Sequence, residues 1–125
     1  MQEGIFYGLC EYLEVPLFII NIERTGSFTF GYLNPAFEKA TGFCREDAVG
    51  REFPEIPGFS REDSATLRDR CQRCLSEGTP VGYGEDAPPL AMGRQSFHAV
   101  FVPMSDSSGK TSHIAGIIDP DAARR

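Results

Sequence analysis

Tryptophan is absent from this chain of 125 residues, so no indole is available to stack on a flat cofactor ring. Basic charge is in deficit: 12 Lys and Arg stand against 18 Asp and Glu, a net charge of −6. That balance excludes unspecific binding to nucleic acid or to an anionic membrane surface, both of which need a basic face. Long apolar runs are missing too. The longest, Val15 to Ile20, contains Pro16 and is far short of the ~20 residues of a membrane span. The N-terminus lacks the basic start and apolar stretch of a signal peptide, so a cytoplasmic setting is expected. Four cysteines are too few for a disulfide scaffold. Neither low-complexity segments nor internal repeats occur.

What is present is globular: 41% hydrophobic, 11% aromatic and 24% charged residues, on a length that suits one domain. Residues 3–14 have Ile5, Phe6, Leu9 and Leu13 at helical spacing and predict a short amphipathic helix. Val15 to Glu23 predicts a buried strand, and Ser27 to Leu33 a half-buried one, with the turn Thr25-Gly26-Ser27 between them. Asn34-Pro35 predicts a capped helix start and Gly42 its end. A short helix is expected at Arg45–Val49, then an irregular stretch around Pro54, Pro57 and Gly58. Ser60 with Asp63 predicts a capping box for a helix to about Glu77, with Leu67, Cys71, Cys74 and Leu75 as its apolar stripe. Strands are expected at Val81–Asp86, Ser96–Met104 and Thr111–Asp119, the last two joined by the loop Ser105–Gly109. Strands on either side of a helical block imply α+β with an antiparallel sheet.

The segment NPAFEKATGFCREDAVGREFPEI (Asn34–Ile56) resembles the central signature of PAS domains. That pattern is an Asn-x-x-Phe helix, a Thr-Gly step, an acidic short helix and a Gly-Arg step. Pro103, Asp106 and Gly109 resemble the turn of the family's last hairpin, and Asp119 its terminal motif, although Pro120 and Asp121 depart from it. The resemblance covers about residues 15–121, leaving 1–14 as an N-terminal helix and 122–125 as the start of a linker. It implies a five-stranded antiparallel sheet flanked by short helices, with a cavity between sheet and helices. It also implies a sensory or dimerising module of a larger signalling protein. The output would be a histidine kinase, a cyclic-dinucleotide enzyme or a transcription regulator. Under that resemblance, Phe18, Ile20, Phe37, Leu67, Cys71, Phe97, Ala99 and Phe101 are the expected cavity lining. Mostly apolar walls imply an apolar or aromatic ligand with few polar handles.

The same resemblance bears on cofactors. Flavin photoreceptors of the family carry a reactive cysteine where this chain has Phe53, so no thiol–flavin adduct can form. Haem-binding members usually take their iron ligand from the helical side, and the helix at 61–77 has no histidine. No covalent chromophore is therefore expected, haem and flavin are disfavoured, a plain redox flavin stays open, and the sequence names no cofactor; the spacing of its cysteines and histidines does not suit a metal site.

Cys71 and Cys74 form a C-x-x-C, which opens a competing reading as a small thiol oxidoreductase. Their place in the apolar stripe, in the middle and at the end of a helix, fits core packing instead. If the loop Ser105–Gly109 sets the hairpin register, His98 opposes Gly116 and His113 opposes Phe101. The two histidines then lie on opposite faces. The alternation on both faces of 96–104 and 111–119 leaves an outer sheet face in need of a cover. The 3–14 helix, through Ile5, Phe6, Leu9 and Leu13, is the expected cover and homodimer contact. A ligand-free protein-interaction domain is the third reading.

Overall fold

The structure, a computed structural model, describes residues 8–82, 90–92 and 95–119. The expected strand at 83–86 and the side chains of Ile5 and Phe6 fall outside these residues. So do the linker residues 122–125 and Pro120. The fold is α+β. Its strands are β1 (Leu17–Ile22), β2 (Phe28–Leu33), β3 (Val81–Gly82), β4 (Leu90–Met92), β5 (Gln95–Ser105) and β6 (Thr111–Asp119). Between β2 and β3 stand helices α1 (Pro35–Thr41) and α2 (Arg45–Ala48), a 3-10 turn (Phe53–Glu55) and helix α3 (Arg61–Glu77). The antiparallel sheet runs in the order β2-β1-β6-β5-β3, five strands across, with β4 paired to the start of β5. β4 has no counterpart among the expected strands.

Local signals explain the helices. α1 begins at Asn34, whose side chain accepts the Phe37 N–H, carries Pro35 in its first turn and stops at Gly42. α3 begins at Ser60, whose Oγ accepts the Asp63 N–H at 3.0 Å, and stops at Gly78. Its inward face is Ser64, Leu67, Arg70, Cys71 and Cys74. Leu75, expected in the stripe, is exposed, because the buried positions 67, 71 and 74 already fill the narrow arc that faces the sheet.

The core fills the space between the sheet and α1, α2 and α3. Phe18, Ile20, Phe30, Phe37, Leu67, Cys71, Ala99, Phe101 and Ile114 belong to one buried cluster. Each fully buried Phe or Leu contributes about 1.5–3 kcal/mol of transfer free energy. Gly116 is required by this packing: a Cβ there would stand 2.1 Å from Phe18 Cζ. The two residues are direct cross-strand partners, so the ring of Phe18 lies over the space the glycine leaves.

The β5–β6 hairpin departs from the expected register. Met104 pairs with His113, Phe101 with Gly116 and His98 with Asp119, with a bulge between Met104 and Ser105. The loop is shaped by Asp106, whose Oδ1 accepts from the Ser108 N–H and hydroxyl and from the Lys110 N–H. Gly109, at φ 89°, closes it. The register therefore shifts by an odd number of residues, and the relative facing of the strands inverts. His98 and His113 lie on the same outer face, not on opposite ones. They remain six β5 positions apart along the sheet, about 20 Å at ~3.3 Å per residue.

Candidate functional site

Seven of the eight expected cavity residues meet in the buried core: Phe18, Ile20, Phe37, Leu67, Cys71, Ala99 and Phe101. The side chain of Phe97 lies outside the described residues. Within the seven, aromatic rings touch in tilted and edge-on pairs. Phe18 lies 5.3 Å from Phe37 and 5.9 Å from Phe101, between ring centroids. Phe53, in the 3-10 turn, packs against Phe28, Phe30 and Phe59.

The cysteine pair belongs to this core. Cys71 and Cys74 are both fully buried, and burial pushes both thiols up from their ordinary values. Cys74 Sγ lies 3.5 Å from the Phe101 carbonyl oxygen, to which it donates. Thiols held protonated in an apolar core are poor nucleophiles, so this geometry does not favour the oxidoreductase reading. Among the described residues there is no group of three or more His, Cys, Asp or Glu able to hold a metal ion.

The outer face of the sheet carries a second, smaller cluster of Cys10, Leu17, Ile19, Tyr32 and Ala115, with Val102 and Met104 against it. Here the expected covering role of Leu9 and Leu13 is corrected, while Ile5 and Phe6 lie outside the described residues. The described helical part is 8–10, followed by a turn at 11–12. Cys10 turns inward, while Leu9 (66% exposed) and Leu13 (46%) point to solvent with Tyr12. The inward position is set by polar ties rather than by apolar spacing. Asn34, fully buried, uses every bond its amide can make: Oδ1 accepts from the Leu17 and Phe37 N–H groups at 3.0 and 2.9 Å. Its Nδ2 donates to the carbonyls of Val15 and Cys10 at 2.9 and 3.2 Å. Beside it, Glu11 accepts from the Tyr32 hydroxyl and from Arg45 Nη2, the latter at 2.9 Å. Arg45 also reaches Glu38 and lies over the Tyr32 ring. The Tyr32 and Arg45 hydrogen bonds hold the Glu11 carboxyl below its ordinary value, whereas burial and Glu11 push Tyr32 up. The N-terminal segment is thus bound to β1, β2, α1 and α2 at once. Of this arrangement, only the helix cap at Asn34 is legible in the sequence.

Val100 and Ile117, direct cross-strand partners, are 39% and 38% exposed. Val102 and Met104, next on that face of β5, are partly buried.

A separate pocket of about 280 Å³ opens where the start of β2, the 3-10 turn and the first turns of α3 meet. Ser27, Phe28, Glu52, Phe53, Pro54, Arg61, Ser64, Ala65 and Arg68 line it. None of the eight expected cavity residues is among them.

Scans against protein-family models and against curated proteins give no match. Solved structures do match. The PAS domain of Bordetella pertussis BvgS superimposes with a TM-score of 0.72 at 18% identity, over 94% of this chain and 85% of that one. This chain has the PAS fold. A sensory box sensor histidine kinase from Vibrio cholerae matches with a TM-score of 0.66 at 15% identity, over 94% of this chain and 90% of that one. An RNA-binding light-oxygen-voltage receptor matches with a TM-score of 0.65 at 18% identity, over 98% of this chain. The chain spans 34% of that receptor's length. On the PAS fold, the Asn-x-x-Phe signature is explained by Asn34 as the four-bond tie and by Phe37 as the core ring beside it.

Proposed function

We propose that this chain is a non-enzymatic sensory or regulatory module of a signal-transduction protein, and that it works by pairing with a second copy through the outer face of its sheet. The observation that carries the pairing is the exposed cross-strand pair Val100–Ile117, on the face where Cys10 begins the cover, with Leu9, Tyr12 and Leu13 exposed on the covering segment. Exposed apolar side chains gain by being removed from water, and a two-fold pair of sheets removes them symmetrically. The close ring packing of Phe18, Phe37 and Phe101 favours pairing over a small apolar ligand lodged among those side chains. A cytoplasmic setting and an attached output domain belong to the same proposal, and the likeness to a sensor histidine kinase supports the output domain. No helix among the described residues is long and apolar enough to cross a membrane.

Sedimentation of the full chain at tens of micromolar tests the pairing. The expected result is a two-copy species that Val100→Asp or Ile117→Glu converts to one copy while circular dichroism stays unchanged. A wild-type chain that sediments as one copy, or variants that still pair, would refute it.

A further inference from the structure

The pocket between β2, the 3-10 turn and α3 borders the core and sets polar groups of α3 beside two of its rings. Its apolar wall is Phe28 and Phe53, whose rings lie nearly parallel, 6.4 Å apart between centroids. Its polar wall comes from one face of α3, where Arg61, Ser64 and Arg68 recur at helical spacing. Ser64 is only 4% exposed, and its hydroxyl has no hydrogen-bond partner among the described residues. A buried hydroxyl left unpaired is destabilising, so a native one asks for an explanation. Neither Arg61 nor Arg68 forms an ion pair with a carboxylate among the described residues. The first turn of α3, a helix of 17 residues, adds the positive end of its dipole. One carboxylate, Glu52, also lines the pocket and limits the charge it favours. Two guanidinium groups against one carboxylate leave room for a single negative charge.

We infer that this pocket binds a small monoanionic organic acid with an aromatic or flat apolar body. Arg61 and Arg68 hold its carboxylate, the Ser64 hydroxyl donates to one of its oxygens, and its body lies on Phe28 and Phe53. Charge-assisted bonds to guanidinium supply the selectivity for the ionised form. The aromatic wall supplies the preference over a bare inorganic anion. The pocket's volume admits one ring with a short substituent and little more. This inference does not depend on whether the chain pairs.

Three probes separate the contributions: benzoate, its neutral isostere benzamide, and inorganic phosphate. Each is titrated into the full chain and followed by the amide resonances. Benzoate is expected to bind saturably and to shift residues 27–28, 52–53 and 61–68. Benzamide and phosphate should bind at least tenfold more weakly. Arg61→Gln with Arg68→Gln should weaken benzoate at least tenfold. Ser64→Ala should weaken it several-fold and yet melt no lower than the wild type, because it removes a hydroxyl that the fold leaves unpaired. Benzamide binding as tightly as benzoate would overturn the inference. So would benzoate binding unchanged in the double arginine variant, shifts centred elsewhere, or the absence of binding at millimolar benzoate.

Discussion

Replacing Asn34 with alanine removes four hydrogen bonds in one step. The bond to the Phe37 N–H is a helix cap, and losing such a cap costs about 1 kcal/mol. The Leu17 N–H, also buried, loses its bond to Oδ1, and an orphaned buried donor costs about 1–3 kcal/mol. The Val15 and Cys10 carbonyls lose the donors that hold the N-terminal segment. Together we expect a loss of about 3–4 kcal/mol, against a usual total of about 5–15 for a domain. For a chain of this size that lowers the melting temperature by roughly 10–15 °C. Asn34→Ser restores the cap alone and should recover about 1 kcal/mol. Asn34→Asp keeps both accepted bonds but sets a carboxylate oxygen against the two carbonyls, and should lose at least about 2 kcal/mol. Urea unfolding followed by far-ultraviolet circular dichroism reads all three, since the chain has no tryptophan to report by fluorescence. An alanine variant that loses less than about 1 kcal/mol, or a serine variant equal to wild type, would refute the account of Asn34 as a tie rather than a cap.

Gly116→Ala should destabilise the fold by at least about 2 kcal/mol, because the new methyl meets the Phe18 ring; calorimetry of the variant, alone and with Phe18→Leu, should show partial rescue by the smaller side chain. Glu11 has a carboxyl held below its ordinary value, so its contribution is present above about pH 4.3 and is lost as the pH falls through the lowered value. The stability gap between wild type and Glu11→Gln should therefore shrink in acid, and a gap constant with pH would contradict the assignment. A thiol reagent applied to native protein should modify exposed Cys44 quickly and Cys71 and Cys74 only at the rate of opening; fast labelling of either buried thiol would revive the oxidoreductase reading. Freshly isolated protein should be colourless above the ultraviolet, and a flavin or Soret band would contradict the expected lack of chromophore.

What the sequence made legible was local. The span of α3 was readable to within a residue because Ser60 and Gly78 mark its two ends with side-chain and backbone chemistry of their own. The same holds for α1 between Asn34 and Gly42. The hairpin register was not readable, because a carboxylate-organised loop and a bulge at Met104/Ser105 set it, and neither alters the alternation of the strands. The choice of Cys10 over Leu9 and Leu13 as the buried residue was hidden for a different reason. It depends on Asn34, Tyr32 and Arg45, which lie more than twenty positions away in the chain. The pocket joins three segments, and its one sequence trace was the helical spacing of Arg61, Ser64 and Arg68.

The position of β1 has a consequence for how the chain reaches this structure. β1 lies between β2, which follows it at once, and β6, whose Ile117 pairs with Leu17 about 100 residues later. Closing a loop of that length costs roughly 4 kcal/mol of chain entropy before any contact across it forms. Until β6 arrives, a strand of nearly continuous apolar residues has one open edge, which is the kind of template that invites pairing with other chains. During synthesis the domain must therefore wait for its last strand. Its vulnerable interval is set by the time the ribosome takes to deliver residues 111–119, and a stop before them leaves the centre of the sheet unpaired.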